Sequence, residues 1–413
     1  MSAPASKGLI HSWAKPEKLT VPKEQRFAAL PRRNSLLSKM FTIIRADVMT
    51  ETSTTLDPDY AEENFSQRWL GEAPIFVFGA IMLAVCVTLL ASRGVSLNLS
   101  GVLENARLFG MFTLILIAFD AAIQLNRKRP SSPTAFLKER YTAKPLLKTI
   151  ISGLPLIAVA IIALPFFSKM KSAIPLFTEY TWDAAFIEWD RAIFFGHDAW
   201  EVLQPVIGYP IVTAFLALLY HLWFLLLYPG VMFFVFAKMD SQVRRQFFLS
   251  YTLSWALVGG LMATWLASVG PCFLDPLLGN AHFKPQMDYL YAANDQVPIM
   301  VLNVQELLLE WHSKAENGLG SGITAMPSMH CAIAFLYWIA VRRISKRWGA
   351  FFGVFFFVTW ISSVHLAYHY AVDGLISLLA VAAIWWASQH IIAAWDFILA
   401  RYATLRTNTV PAE

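Results

Sequence analysis

His330, His369 and Asp373 are the residues of this 413-residue chain whose types and spacing could carry chemistry. His369 and Asp373 lie four apart in H-L-A-Y-H-Y-A-V-D-G, residues 365–374. On the opening turns of a helix that spacing puts both side chains on one face. A carboxylate bonded to one imidazole nitrogen fixes the ring tautomer and leaves the other nitrogen as the better nucleophile or base. His330 ends the stretch G-S-G-I-T-A-M-P-S-M-H, residues 320–330, in which Pro327 and Ser328 have the order of a helix entry with Ser328 as N-cap. The free backbone N–H groups of a helix start suit a phosphate oxygen, and the preceding G-L-G-S-G could add donors as a nest. Taken singly, these fragments read equally well as a capped helix and a satisfied His–Asp pair. Together, at one membrane face where ionisable groups are costly to keep, they point to catalysis.

The elements that position them are membrane spans. The chain is 57% hydrophobic and 15% charged, well below the roughly one-quarter charged residues of soluble domains. This is the composition of an all-α polytopic membrane protein, and it turns the net charge of +5 away from nucleic acid and towards loop orientation. Apolar runs of near-spanning length recur at 74–92, 107–125, 147–167, 210–237, 248–268, 327–344, 349–367 and 370–394, which predicts eight helices. With the N-terminal segment inside, 26 of the 33 Lys and Arg fall in inner segments, and the positive-inside rule selects that orientation. Both termini are then cytoplasmic. The basic turn R-R-I-S-K-R at 342–347 joins two spans as a hairpin, which brings His330, His365, His369 and Asp373 to the outer face.

Residues 1–73 read as a partly disordered cytosolic tail, 74–146 as two further spans with a basic loop, 147–395 as the membrane core and 396–413 as a second cytosolic tail. Two outer segments exceed simple turns. In 168–209, Trp182, Phe186, Trp189 and Ile193 recur at helical steps with acidic residues between them, which predicts an interfacial amphipathic helix. The other, 269–326, is long enough to be functional. Both are expected to roof or flank the histidines. The three cysteines have no metal-ligand spacing and read as free thiols. Asp120 and His221, inside spans, read as interhelical hydrogen-bond partners.

A-M-P-S-M-H at 325–330 followed by H-L-A-Y-H-Y-A-V-D at 365–373, one hairpin apart, resembles the phosphatidic acid phosphatase type 2 superfamily, and within it the inositol phosphorylceramide synthase-like branch with P-S-x-H and H-Y-x-x-D. F-F-G-H-D-A-W at 194–200 and G-P-C-F-L-D-P at 270–276 are similar to segments of its bacterial members. The resemblance covers about 180–395. It implies a six-helix phosphatase or phosphotransferase core in a bacterial cytoplasmic membrane, with His369 as the nucleophile that forms a phosphohistidine, Asp373 as its orienter and His330 as general acid. Ser328 and Ser363 would be the phosphate-binding positions. No cofactor is implied, and the partners are membrane lipids.

The chain departs from the wider superfamily at two points. Ser363 stands where an arginine six residues before the nucleophile is expected, and the only Arg-Pro, Arg129-Pro130, falls on the cytosolic side. A phosphomonoester carries close to two negative charges near neutral pH and a diester one, so fewer cations favour a diester and hence headgroup transfer. Three other readings stand beside it: a lipid phosphate phosphatase of the same superfamily, a metal-dependent hydrolase using His330, His365, His369 and Asp373, since His365 and His369 have the spacing of a helical zinc pair, and a lipid transporter.

Overall fold

A computed structural model describes residues 65–96, 99–237, 239–314 and 321–408. The expected tail up to residue 64, and residues 318–320 of the glycine-rich stretch, lie outside the described residues. Fifteen helices and no strand occur among the described residues, several 3-10 and π turns aside. They are α1 (Phe65–Gly71), α2 (Ala73–Ser92), α3 (Ser100–Lys128), α4 (Pro133–Thr142), α5 (Lys144–Ala173), α6 (Asp183–Ile193), α7 (Ala199–Ile207) and the continuous span α8 (Pro210–Phe236). The span α9 (Ser241–Trp265) follows, then α10 (Pro271–Leu278), α11 (Lys284–Asn294), α12 (Met300–Ser313), α13 (Met329–Ile344), α14 (Lys346–His365) and α15 (Ala371–Asn408).

Seven of these are long and apolar enough to cross a membrane: α2, α3, α5, α8, α9, α14 and α15. The eighth expected span, 327–344, forms α13, whose 16 residues amount to about 24 Å at 1.5 Å per residue. It lies inside the bundle, against α14, α15 and α9. α15 runs on to Asn408, so the stretch read as a tail from 396 begins as helix.

Sequence accounts for many of the helix starts. Proline occupies the first turn of α2, α4, α5, α8, α10 and α11, where its missing N–H costs nothing. α8 and α9 each contain a π-helical stretch, Leu226–Gly230 and Ser254–Met262. Such local widening recurs at functional sites, and here both stretches face one cavity.

The loop from Leu366 to Tyr370 joins α14 to α15 and carries His369. The long segment between α9 and α13 holds it in place. Cys272 N–H donates to the Ala367 carbonyl at 2.8 Å. The Gln286 amide donates to Val364 O at 2.8 Å and the Gln305 amide to Leu366 O at 2.9 Å. Gly270, at φ +87°, passes so close to the Tyr368 backbone that a Cβ there would lie 2.7 Å from its carbonyl oxygen. Only glycine fits both the conformation and the approach.

Candidate functional site

His369 and Asp373 form the pair that their spacing predicts, with Nδ1 3.0 Å from Asp373 Oδ2. The same carboxylate oxygen accepts the Tyr370 N–H at 3.2 Å, while Oδ1 is buried without a protein partner. Burial first, and then the Lys171 ammonium, hold the His369 ring below the ordinary imidazole range, with the Ala325 backbone pulling the other way. The ring is therefore neutral, as a nucleophile must be.

The hairpin of α13 and α14 brings His330 to the same place. Its ring centroid is 6.5 Å from that of His369. It lies against Tyr220 at 4.2 Å and Trp223 at 4.1 Å, aromatic faces that fix its orientation, while burial first, and then the charges of His369, Lys171 and His221, hold the ring well below the ordinary imidazole range. Both histidines line a cavity of about 570 Å³ whose remaining wall is mostly apolar.

Ser328 caps α13 as expected, accepting the Cys331 N–H at 3.3 Å, and is fully buried. Its neighbours Pro327 and Met329 line the cavity, but Ser328 does not. Ser363 stands further from its expected role, because its hydroxyl donates to the Trp360 carbonyl at 2.7 Å and it too is absent from the cavity wall. What Ser363 does is hold the loop, its carbonyl accepting the N–H groups of Tyr368 and His369. The cations also differ from expectation. The sequence shows no arginine at the site, but Lys171, in the last turn of α5, lines the cavity with both histidines and is the only Lys or Arg among the described residues that does so. Arg129 forms the C-cap of α3 and takes no part.

His365 is separate from the group. Its Nε2 bonds Thr213 Oγ1 at 2.9 Å, Thr213 in turn meets the Tyr289 hydroxyl at 2.6 Å, and the ring is 1% exposed. The four ligands required by the metallohydrolase reading do not converge, and no group of three or more metal-ligating side chains forms among the described residues. Asp120 pairs with Arg140 at 2.9 Å, an interhelical role as expected. His221 Nδ1 bonds the Ala217 carbonyl at 2.8 Å, yet the residue also lines the cavity.

Two buried carboxylates beside the site were not legible in the sequence. The stretch expected to form an interfacial helix is helical, as α6, but its carboxylates Asp183 and Asp190 are buried rather than solvated. Asp183 accepts the N–H groups of Val269 and Gly270 and the Tyr370 hydroxyl. Asp190 accepts the N–H groups of Ala371 and Val372, at 2.7 and 2.8 Å, at the start of α15. The signal was the seven-residue interval between them, two helical turns and hence one face. Burial pushes the Asp190 carboxyl up to about 7; the two N–H donors oppose this, and the charges of Asp373 and Asp198 add to it.

The histidines, the acid and the helices that hold them all fall within one stretch of the chain. Residues 184–387 match the family model of the PAP2 superfamily. The match takes in α7 to α14, nearly all of α6 and the first part of α15, with His330, His369 and Asp373 inside it, and leaves α1 to α5 outside. It supports a function of the lipid phosphatase or phosphotransferase type. No match to a curated protein or to a solved structure is found.

Proposed function

We propose that the chain is a lipid phosphotransferase that works through a phosphohistidine and moves a phospho-headgroup, phosphoinositol-like, from one lipid to the hydroxyl of another. The observation that carries this reading is the convergence of the His369–Asp373 pair and His330 on a largely apolar cavity. With Asp373 accepting from Nδ1, His369 Nε2 attacks phosphorus. The bond from phosphorus to the diacylglycerol oxygen breaks, and His330, whose protonated form is favoured once the anionic phosphodiester lies beside it, gives its proton to that oxygen. In the second half His330 removes the proton of the acceptor hydroxyl, which attacks phosphorus as the P–N bond breaks, and His369 is regenerated. Lys171 neutralises the phosphoryl oxygens.

One lysine on the cavity wall matches the single charge of a diester better than the two of a monoester. The basic turn at 342–347 supports a cytoplasmic position for the far ends of α13 and α14, and so an active site on the outer face of a bacterial cytoplasmic membrane.

Headgroup-labelled phosphatidylinositol or phosphatidylglycerol, given to the purified protein with ceramide, tests this. Diacylglycerol should form and the label should move to the second lipid. Rapid release of phosphate from phosphatidic acid without turnover of any diester would leave a phosphatase instead.

A further inference from the structure

The catalytic cavity does not end within the matched region. Leu108, Met111 and Phe112 of α3, spaced so that they share one face, form part of its wall, although α3 lies outside residues 184–387. Facing them on α8 are Phe224, Leu227 and Tyr228, also at three- and four-residue steps. Phe112 stacks on Tyr228 with centroids 5.0 Å apart and planes 11° apart. The Tyr228 hydroxyl donates to Asn105 Oδ1 at 3.1 Å, and the Asn105 amide donates to Ile161 O at 2.9 Å. α3 is thus fastened to α5 and α8 beside the cavity, whose wall includes Phe112 and Tyr228.

Between α3 and α8 the wall opens. Met111 is 46% exposed and Phe224 47% exposed, yet both line the cavity. They belong to helices long and apolar enough to span the membrane, so the surface they share with the cavity faces lipid. A polar solute would have to pass an apolar rim to reach His330 and His369. A hydrocarbon chain would not. From Tyr220, beside His330, to Tyr228, beside Phe112, α8 advances eight residues, or about 12 Å, of mostly apolar wall. The cavity volume of about 570 Å³ falls within the roughly 300–1,000 Å³ of sites that enclose a small molecule.

We propose that α3 supplies an acyl-chain site: one hydrocarbon chain of the lipid substrate enters from the bilayer between Met111 and Phe224 and lies against Leu108, Phe112 and Leu227 while its phosphate reaches the histidines. The proposal rests on the lipid phosphotransferase reading and adds that α3 selects the chain.

Two measurements on the full-length protein in mixed micelles test it. Met111→Trp narrows the entry at a position where an exposed side chain can be enlarged without disturbing the core. Its KM for a dioleoyl phosphodiester lipid should rise about tenfold, equivalent to losing roughly two buried methylene groups, while KM for the dioctanoyl lipid with the same headgroup changes less than about twofold. The second measurement needs no turnover: a phosphatidylglycerol carrying a diazirine on one acyl chain should cross-link to the peptide spanning Leu108–Phe112, and Met111→Trp should reduce the labelling. Equal KM changes for both chain lengths, or labelling that avoids α3 while the diester is turned over, would overturn the acyl-chain site and leave the phosphotransferase reading intact. Labelling of α3 with no turnover of any phospholipid would do the reverse.

Discussion

Asp190 closes the N-terminus of the last helix, with its two carboxylate oxygens accepting the N–H groups of Ala371 and Val372 at 2.7 and 2.8 Å. Those residues lie between His369 and Asp373, so a side chain on α6, about 180 residues away in sequence, sets the position of the candidate nucleophile and its orienter. The carboxyl is raised by burial from 3.8 to about 7. In the folded protein it therefore holds a proton that the unfolded chain has released between those values. Its favourable contribution to stability is complete below the unfolded value and is lost as the pH climbs to about 7. Activity should run the other way, because only the carboxylate can accept both N–H groups. The kcat/KM of the wild type is expected to rise through about pH 7. Asp190→Asn, whose amide can accept only one of the two, should lose that rise and about tenfold of the rate at pH 8, in line with one buried hydrogen bond at roughly 1–3 kcal/mol. An unaltered pH profile in Asp190→Asn would reduce the residue to a structural cap.

The roles of the histidines separate by substitution. His369→Ala should abolish detectable turnover, and His330→Ala should cost on the order of 10²–10⁴-fold, the usual worth of a general acid. Asp373→Asn should retain the fold but lower kcat sharply by releasing the tautomer. His365→Ala removes the Thr213 bond from a fully packed position, so its principal effect is expected on melting temperature, with kcat within about tenfold of wild type. If His365→Ala is as inactive as His369→Ala while melting normally, His365 acts in the chemistry and the assignment of the site is wrong.

The pair His369–Asp373 and the approach of His330 were legible because each follows from a local rule: four residues along a helix, or two ends of a hairpin. The spans were legible because a bilayer imposes length and apolarity. α13 was only half legible, since a central helix needs neither the length nor the lipid-facing surface of an outer one. Ser363 was misplaced by analogy: a position counted back from the nucleophile says nothing of where its side chain turns, and here it turns to Trp360. Lys171 was not legible, because its approach to His330 and His369 depends on how α5 packs against α9. Asp183 and Asp190 were read as the polar face of an interfacial helix, since nothing local tells a solvated carboxylate from one that caps another segment's backbone.

Orientation is open to labelling. Lys346→Cys, at an exposed position in the basic turn, should resist a membrane-impermeant maleimide in intact cells, and Asn280→Cys, exposed in the opposite loops, should react. Both tests need a background in which Cys86, Cys272 and Cys331 are replaced by alanine. Equal labelling before and after permeabilisation at both positions would contradict an outward-facing site.

Lys171 offers the clearest link between charge and substrate class. It is the only Lys or Arg among the described residues on the cavity wall, and a charge-assisted hydrogen bond is worth roughly 1.5–3 kcal/mol. Lys171→Met keeps the length of the side chain and removes the charge, so turnover of a diester lipid should fall roughly tenfold to a hundredfold. Lys171→Arg should restore much of it, since a guanidinium keeps the charge and adds donors. A monoester carries nearly twice the charge and meets the same single cation, so phosphatidic acid should be turned over more slowly than phosphatidylglycerol by the wild-type protein. A wild type that prefers phosphatidic acid, with Lys171→Met losing that preference, would show that one lysine beside two histidines suffices for a dianion, and the argument from charge to headgroup transfer would fail.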